Sequence, residues 1–521
     1  MNNSHDAVLA LLSRPETYGA AVAEVRRIDT HASVVFLAGT RAYKLKRPVR
    51  FDYLDYSTFE RRKEACEAEV RVNRRTAPDL YLGVAIVSRT RDGTLVLGDG
   101  VEAVDAVVVM RRFDEDTLFD RLATRGQLTA TLQASVAERI ALFHAGADER
   151  RDHGGSAGMR WVVNGNDDDL VRFGGDALDR ELVAELTTRN LGEIDRLATR
   201  LDRRRADGWV RHGHGDLHLR NICLWNGQPT LFDAIEFNDE IACIDVQYDL
   251  AFLLMDLMHR GLDDAANLVL CRYLEATDDY GGLALVPLFL SCRAAVRAKI
   301  GVTALAVDPE AKGAQALARE SAAYLRLACD VLAARPPVIV AIGGFSGTGK
   351  TTLARSLAPR VGTRPGAVVV RSDIVRKALA GARSPVERLG PEAYTPEMSA
   401  RVYARLRDNA AAIVTGEHAA IVEAVHADPA ARAGIEKVAT GAGVPFVGVW
   451  LEADEATLAE RLERRGQDAS DASVAVMRAQ VRTGVGPLDW HRLDARLGVD
   501  ALADACLSLL QAIRQGPSKR Q

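Results

Sequence analysis

The segment His214-Gly215-Asp216-Leu217-His218-Leu219-Arg220-Asn221 sets one aspartate ahead of an asparagine, and a second aspartate, Asp233, follows past a short turn. Moving a phosphoryl group onto a hydroxyl needs a carboxylate to orient the acceptor and take its proton, and hard oxygen ligands for Mg²⁺. The pattern supplies both, with Asp216 as catalytic base and Asn221 and Asp233 as metal ligands. A turn capped by its own Asp and Asn side chains would have similar composition. The hairpin expected around Asn226-Gly227, which delivers the chain to Asp233, favours the chemical reading.

A second constellation lies far downstream. Gly344-Phe345-Ser346-Gly347-Thr348-Gly349-Lys350-Thr351 is a full G-x-x-x-x-G-K-[ST], the phosphate-cradling P-loop. Its glycines let backbone N–H groups converge on phosphates at the positive end of a helix; Lys350 reaches the β and γ oxygens and Thr351 holds Mg²⁺. Gly344, Ser346, Gly347, Thr348, Gly349, Lys350 and Thr351 are therefore candidate nucleotide ligands, and the implied cofactors are ATP and Mg²⁺. Beyond the next apolar run, Val368-Val369-Val370, come Asp373 and, three residues on, Arg376. A carboxylate at a strand tip beside the loop can accept the proton of a substrate hydroxyl, with Arg376 on the same helix face. A helix-capping aspartate with a surface arginine is the plainer alternative.

The elements that must position these groups read as two kinds of structure. Residues 33–50 and 81–110 are strand-rich around a Gly39-Thr40 turn, a helical stretch runs from about Thr58 to Arg75, and helices dominate from Leu118. Short strands are expected near Ile222–Trp225 and Thr230–Phe232. Gln315 to Leu332 has helical spacing, and Pro336-Pro337 closes it. Val338–Ile342 then reads as a buried parallel strand, followed by a helix through Leu357. Ala420–Ala424 is a further strand, carrying Glu423 where a P-loop domain usually has a metal-binding aspartate, which weakens that role for Glu423. Val447–Leu451 is another. The expected architecture is multidomain: an α+β bilobal domain over 1–334, then an α/β P-loop domain with a parallel sheet over 336–515.

Residues 30–260 resemble the aminoglycoside phosphotransferase and choline kinase branch of the protein-kinase-like fold. The resemblance rests on the Asp216 loop and on Asp245-Val246-Gln247-Tyr248-Asp249-Leu250-Ala251, and it implies that Asp249 braces the catalytic loop. It also implies that Arg41-Ala42-Tyr43-Lys44 carries the phosphate-holding lysine. Lys44 is preferred to Lys46, although the two share a strand face, and Glu69 is the expected helix partner, with Glu64 its rival. The chain departs from protein kinases in having a single glycine, Gly39, before Lys44 and in placing His218 where they have lysine. Both departures point to a small alcohol as acceptor. Asp167-Asp168-Asp169 reads as a solvated acidic loop, with capture of a cationic substrate as the alternative. The P-loop half resembles polynucleotide kinase, gluconate kinase and zeta toxin, through the loop and the Asp373/Arg376 pair. That likeness implies lid arginines in Leu458–Arg465, with Arg461 and Arg464 the candidates and Arg465 behind them, against an amphipathic helix with Glu–Arg pairs. It extends to Ser470-Asp471-Ala472 and Gln480.

Composition sets the outer bounds. The 521 residues are 48% apolar, with 67 basic against 71 acidic side chains, which offers no field for gripping a polyanion, so general nucleic-acid binding is not expected. Seven scattered cysteines without a C-x-x-C pair suit a reducing cytoplasm, and no apolar run is long enough for a membrane span. The leading expectation is an ATP-dependent phosphotransferase with two modules, each acting on hydroxyls of small sugar- or aminoglycoside-like alcohols. One module could instead be a non-catalytic nucleotide sensor, or the P-loop domain an ATPase adaptor for a macromolecule. Nothing in the sequence names the acceptor.

Overall fold

The computed structural model describes residues 3–515 apart from 31, 52–53, 334, 383, 385–386 and 465–469, so Arg465 lies outside the described residues. Its contacts gather into two compact units, Met1–Val163 with Ile194–Asp256, and Asn164–Glu193 with Leu257–Gln521.

In the first unit, strands Val25–Asp29, Ser33–Ala38, Arg41–Lys46, Glu102–Arg111, Tyr81–Arg89 and Leu95–Leu97 lie side by side in that order as an antiparallel sheet. Strand alternation sorts its residues between two faces. Tyr43, Leu45, Val107 and Val109 pack with Val8 and Leu12 of the helix Asn3–Leu12. Ala106 and Val108 face the other way and pack with Cys66 and Val70 of the helix Phe59–Asn73. Lys44 pairs with Val108 across the strands, so Lys44 and Lys46 share the second face. Thr58 starts that helix by accepting the Arg61 N–H, which brings Glu69 beneath the lysines. Later in the chain the hairpin Ile222–Trp225 and Gln228–Leu231 carries the backbone from Asn221 to Asp233, with Asn226 and Gly227 both at positive φ in its turn.

The second unit contains a parallel sheet in the order Val368–Arg371, Ala420–Glu423, Ile339–Gly344, Phe446–Glu452, His491–Asp494. The P-loop leaves Ile339–Gly344 at the centre and enters the helix Lys350–Leu357. The outer edge of Val368–Arg371 is covered by the helix Asp263–Thr277, not by a further strand. Asn267 Nδ2 donates to the Ala367 carbonyl at 3.0 Å, and the Val369 N–H donates to Cys271 Sγ at 3.5 Å. Unpaired edge groups of this kind need such a cover.

Asp167, Asp168 and Asp169 do not form a loop, as their composition suggests; they lie on the helix Gly155–Phe173. The apolar spacing of Val163 and Leu170, both buried, outweighs the low helix propensity of three aspartates. Asp167 accepts from Thr187 Oγ1 at 2.6 Å, and Asp169 faces Lys299 at 3.8 Å. All seven cysteines are free and buried, and among the described residues no helix is long and apolar enough to cross a membrane.

Candidate active sites

In the first unit, Lys44 Nζ donates to Glu69 Oε1 at 2.9 Å and to Asp233 Oδ1 at 2.6 Å. Glu64, the alternative partner, is exposed on the same helix. Burial opposes the charge of Lys44, but Asp233 and Glu69 more than offset it and push its pKa well above the usual lysine value. Burial likewise works against the Glu69 carboxylate; Lys44 and Lys46 reverse that and hold it at about 2. Asp233 itself sits at φ 63. Its N–H donates to the Tyr81 hydroxyl at 3.1 Å, and the next N–H, of Ala234, donates to Asn73 Oδ1 at 2.8 Å.

The Asp216 loop hangs from a fully buried carboxylate. Asp249 accepts the N–H groups of His214 at 2.6 Å and Gly215 at 3.0 Å, and meets His144 Nε2 at 3.2 Å. A Cβ on Gly213 would stand 2.6 Å from Asp249 Oδ2, so glycine is required for that approach. His214 is driven towards its neutral form by burial, and its Nε2 donates to the Phe232 carbonyl at 2.9 Å, since a carbonyl can only accept. Asp216 keeps 32% of its side chain exposed, with His218 Nε2 at 3.4 Å from Oδ2. Asn221 Nδ2 donates to both the carbonyl and the carboxylate of Asp216 at 2.9 Å, which leaves Asn221 Oδ1 for a cation.

In the second unit, a cavity of about 770 Å³ is lined by the P-loop and by Asp373, Arg376, Tyr394 and Asp471. Gly347 sits at φ 91, and a Cβ there would lie 2.8 Å from the Leu458 carbonyl, so the loop can pass only as glycine. Lys350 Nζ donates to the carbonyls of Gly344 at 2.8 Å and Phe345 at 3.1 Å. Thr351 Oγ1 donates to Glu423 Oε1 at 2.9 Å, and Arg371 Nε donates to Glu423 Oε2 at 3.1 Å. Glu423 thus occupies the strand tip facing the loop threonine, its second carboxylate oxygen held by Arg371. Gln480 Oε1 accepts the Ser346 N–H at 2.9 Å. Asp373 keeps partial exposure to the cavity, yet burial of its carboxyl, followed by the like charge of Glu423, raises its pKa.

Arg376 lines the same cavity and stacks over the Tyr394 ring at 5.0 Å, while its Nη1 donates to the Ala393 carbonyl at 2.7 Å. Arg461 also lines it, donating to the Ala495 carbonyl at 2.9 Å. Arg464 does not. It ends the helix Glu455–Glu463 with 80% of its side chain exposed and pairs with Glu460 one turn back, the amphipathic-helix alternative.

Both donor sets suit Mg²⁺, which takes hard oxygens and relies on phosphates and water instead of an all-protein cage. Asn221 Oδ1 and Asp233 would hold it in the first unit, and Thr351 with Glu423 in the second. Among the described residues no cluster of three or more His, Cys, Asp or Glu forms a cage of its own. Replacing Glu423 by alanine removes the carboxylate that Arg371 Nε meets in the interior, and is expected to cost about 3–5 kcal/mol. An unchanged denaturation midpoint for the variant would refute that pairing.

An AAA domain family model matches residues 338–485. Uncharacterized protein Rv2004c of Mycobacterium tuberculosis and Uncharacterized protein Mb2027c of Mycobacterium bovis are each 30% identical to the chain over 484 residues, covering 89% of it and 91% of their own length. The chain belongs to their family. Among solved structures, a choline/ethanolamine kinase family protein from Mesorhizobium loti is similar at 13% identity over 63% of this chain and 95% of its own, with a TM-score of 0.40. A gluconokinase from Sinorhizobium meliloti 1021 is similar at 19% identity over 34% of this chain and 93% of its own, with a TM-score of 0.25. The architecture is multidomain, an α+β region built on a six-stranded antiparallel sheet and an α/β domain that carries the P-loop on a five-stranded parallel sheet.

Proposed function

We propose that the chain is an ATP-dependent phosphotransferase with two active modules, an aminoglycoside phosphotransferase-like domain over 1–334 and a P-loop kinase domain over 336–515. Each would transfer the γ-phosphate of ATP to a hydroxyl of a small sugar- or aminoglycoside-like alcohol. The observation that carries this reading is that each unit gathers a lysine, side-chain oxygen donors and a separate carboxylate: Lys44, Asp233, Asn221 and Asp216 in one, Lys350, Thr351, Glu423 and Asp373 in the other.

In the first module Lys44, aimed by Glu69, would take the α- and β-phosphates, and Asp216 would orient the acceptor hydroxyl and receive its proton. In the second, Lys350 would turn from the loop carbonyls to the β- and γ-phosphates, and Asp373 would accept the proton. Arg461, and Arg376 beside Asp373, would balance charge that builds on the transferred group. Mg²⁺, when bound with the nucleotide, supplies neutralisation of the phosphate oxygens.

Equilibrium binding of a non-hydrolysable ATP analogue tests the reading. Two equivalents per chain are expected, falling to one when Lys350 is replaced by alanine; a single equivalent in the unaltered protein would overturn it. A screen of small alcohols with γ-labelled ATP then names the acceptors. Nucleotide hydrolysis with no phosphorylated product, stimulated by a protein or RNA, would favour an adaptor role for the P-loop domain.

A further inference from the structure

The cleft of the first unit contains more buried charge than holding a triphosphate requires. Glu69 divides its carboxylate between two lysines, Oε1 to Lys44 at 2.9 Å and Oε2 to Lys46 at 2.7 Å. Lys46 continues to Glu236 Oε1 at 2.5 Å and to the Tyr56 hydroxyl at 3.2 Å, and Tyr56 donates to the same Glu236 oxygen at 2.8 Å. The two lysines differ in what they can reach. Lys44 keeps 16% of its side chain exposed and its partner Asp233 43%, whereas Lys46 is 1% exposed and Glu236 6%. Every polar contact of Lys46 is thus internal, but both ends of its network adjoin groups that face the cleft. One end is Glu69, which aims Lys44. The other is Glu236, three residues beyond Asp233 on the same segment.

We propose that Lys46, locked by Glu236 and Tyr56, is a positioning residue that fixes Glu69 and the Asp233–Glu236 segment so that Lys44 and Asp233 meet the nucleotide together. This rests on the first module being a nucleotide site. The physical reason lies in the geometry of Glu69: a carboxylate held at one oxygen can swing about its side-chain torsions, whereas one held at both oxygens from two points of a rigid strand cannot. Glu236 extends the restraint across to the segment after the hairpin, which among the described residues no backbone ladder ties to the Lys44 strand.

Deleting Lys46 alone would leave the buried Glu236 with Tyr56 but without its cation, and would strip Glu69 Oε2 of its lysine, so loss of folding and loss of positioning must be separated. The double variant Lys46→Met/Glu236→Gln removes one positive and one negative charge and keeps the Lys44–Glu69 pair. The measurement uses the full chain carrying Lys350→Ala, with calorimetric titration of a non-hydrolysable ATP analogue in Mg²⁺ and thermal unfolding of the same samples. Lys46→Met should lower both Tm and affinity. The double variant should regain most of the Tm while its affinity stays about tenfold or more below that of the Lys350→Ala chain, the scale expected when a supporting partner of a ligand-holding group is lost. Parental affinity in the double variant would overturn the proposal, because the pair would then be structural only. Parental affinity in Lys44→Met with none in Lys46→Met would overturn it in another way, making Lys46 the phosphate ligand. Absence of any binding by the Lys350→Ala chain itself would remove the underlying site before the Lys46 variants are compared.

Discussion

Replacing Asp216 by asparagine in a chain that also carries Lys350→Ala is expected to slow phosphoryl transfer by roughly 10²–10⁴-fold, the range for loss of a general base, with little change in nucleotide affinity. Asparagine matches aspartate in size and can still accept from Asn221 Nδ2, which now bonds the carboxylate at 2.9 Å, and the carbonyl bond from the same amide is untouched. Asp249 would go on holding the loop through the N–H groups of His214 and Gly215. The groups that would hold the nucleotide, Lys44 and Asp233, make their own pair at 2.6 Å and do not depend on the Asp216 charge. The change therefore falls on the acceptor proton, which an amide oxygen takes up far less readily than a carboxylate. Single-turnover assays on the acceptor found by screening, set beside calorimetric affinity, check both halves of the expectation. Undiminished transfer would remove Asp216 from its role.

What the sequence made legible follows from which forces act locally. The alternation in Val34–Leu37 and Ala42–Leu45 shows the sheet, because each face buries its own apolar set. The P-loop is legible because its glycines answer a backbone demand, whereas the brace at Asp249 was implied only by the likeness of Asp245–Ala251 to a family segment. The same alternation is silent between Lys44 and Lys46. They share a face, and only the position of Glu236, far along the chain, withdraws Lys46 from the cleft. Arg371 was likewise unreadable, since its partner Glu423 comes from a neighbouring strand and nothing near Arg371 in sequence marks the pair. Gln480 carried a signal in its family likeness, but its hydrogen bond to the Ser346 N–H joins residues 134 apart in the chain, beyond the reach of any local pattern. Arg464 shows the opposite failure. Its spacing matched a lid arginine, but a helix turn sets which face a side chain takes, and Glu460 holds it outward. The grouping of Asn164–Glu193 and Leu257–Asp330 with the P-loop sheet in one compact unit depends on contacts such as Asn267 with Ala367, to which the Pro336-Pro337 seam gives no clue.

Asp373→Asn should act on stability and activity in opposite directions. Burial and the like charge of Glu423 raise the Asp373 pKa, so in the folded protein its ionised form is less favourable than in the unfolded chain. A carboxyl whose folded pKa lies above its unfolded value binds its proton more tightly when folded. Its ionisation therefore costs stability above the folded pKa, and the cost disappears as pH falls below the unfolded value. Asparagine never ionises, so the variant should melt above wild type at neutral pH, with the gap narrowing as pH falls through the raised Asp373 range. Activity should move the other way. With Asp373 as the proposed unprotonated base of the P-loop module, the acid limb of transfer should lie above the ordinary carboxylate range, and Asp373→Asn should remove roughly 10²–10⁴-fold of the rate. The Lys350 and Thr351 contacts do not involve Asp373, so nucleotide binding should persist. Thermal melts across pH, paired with transfer rates in a chain carrying Asp216→Asn, measure both effects on one protein. A variant that melts below wild type at neutral pH would show that the buried carboxylate is stabilising, and full retention of transfer would take the proton-accepting role away from Asp373.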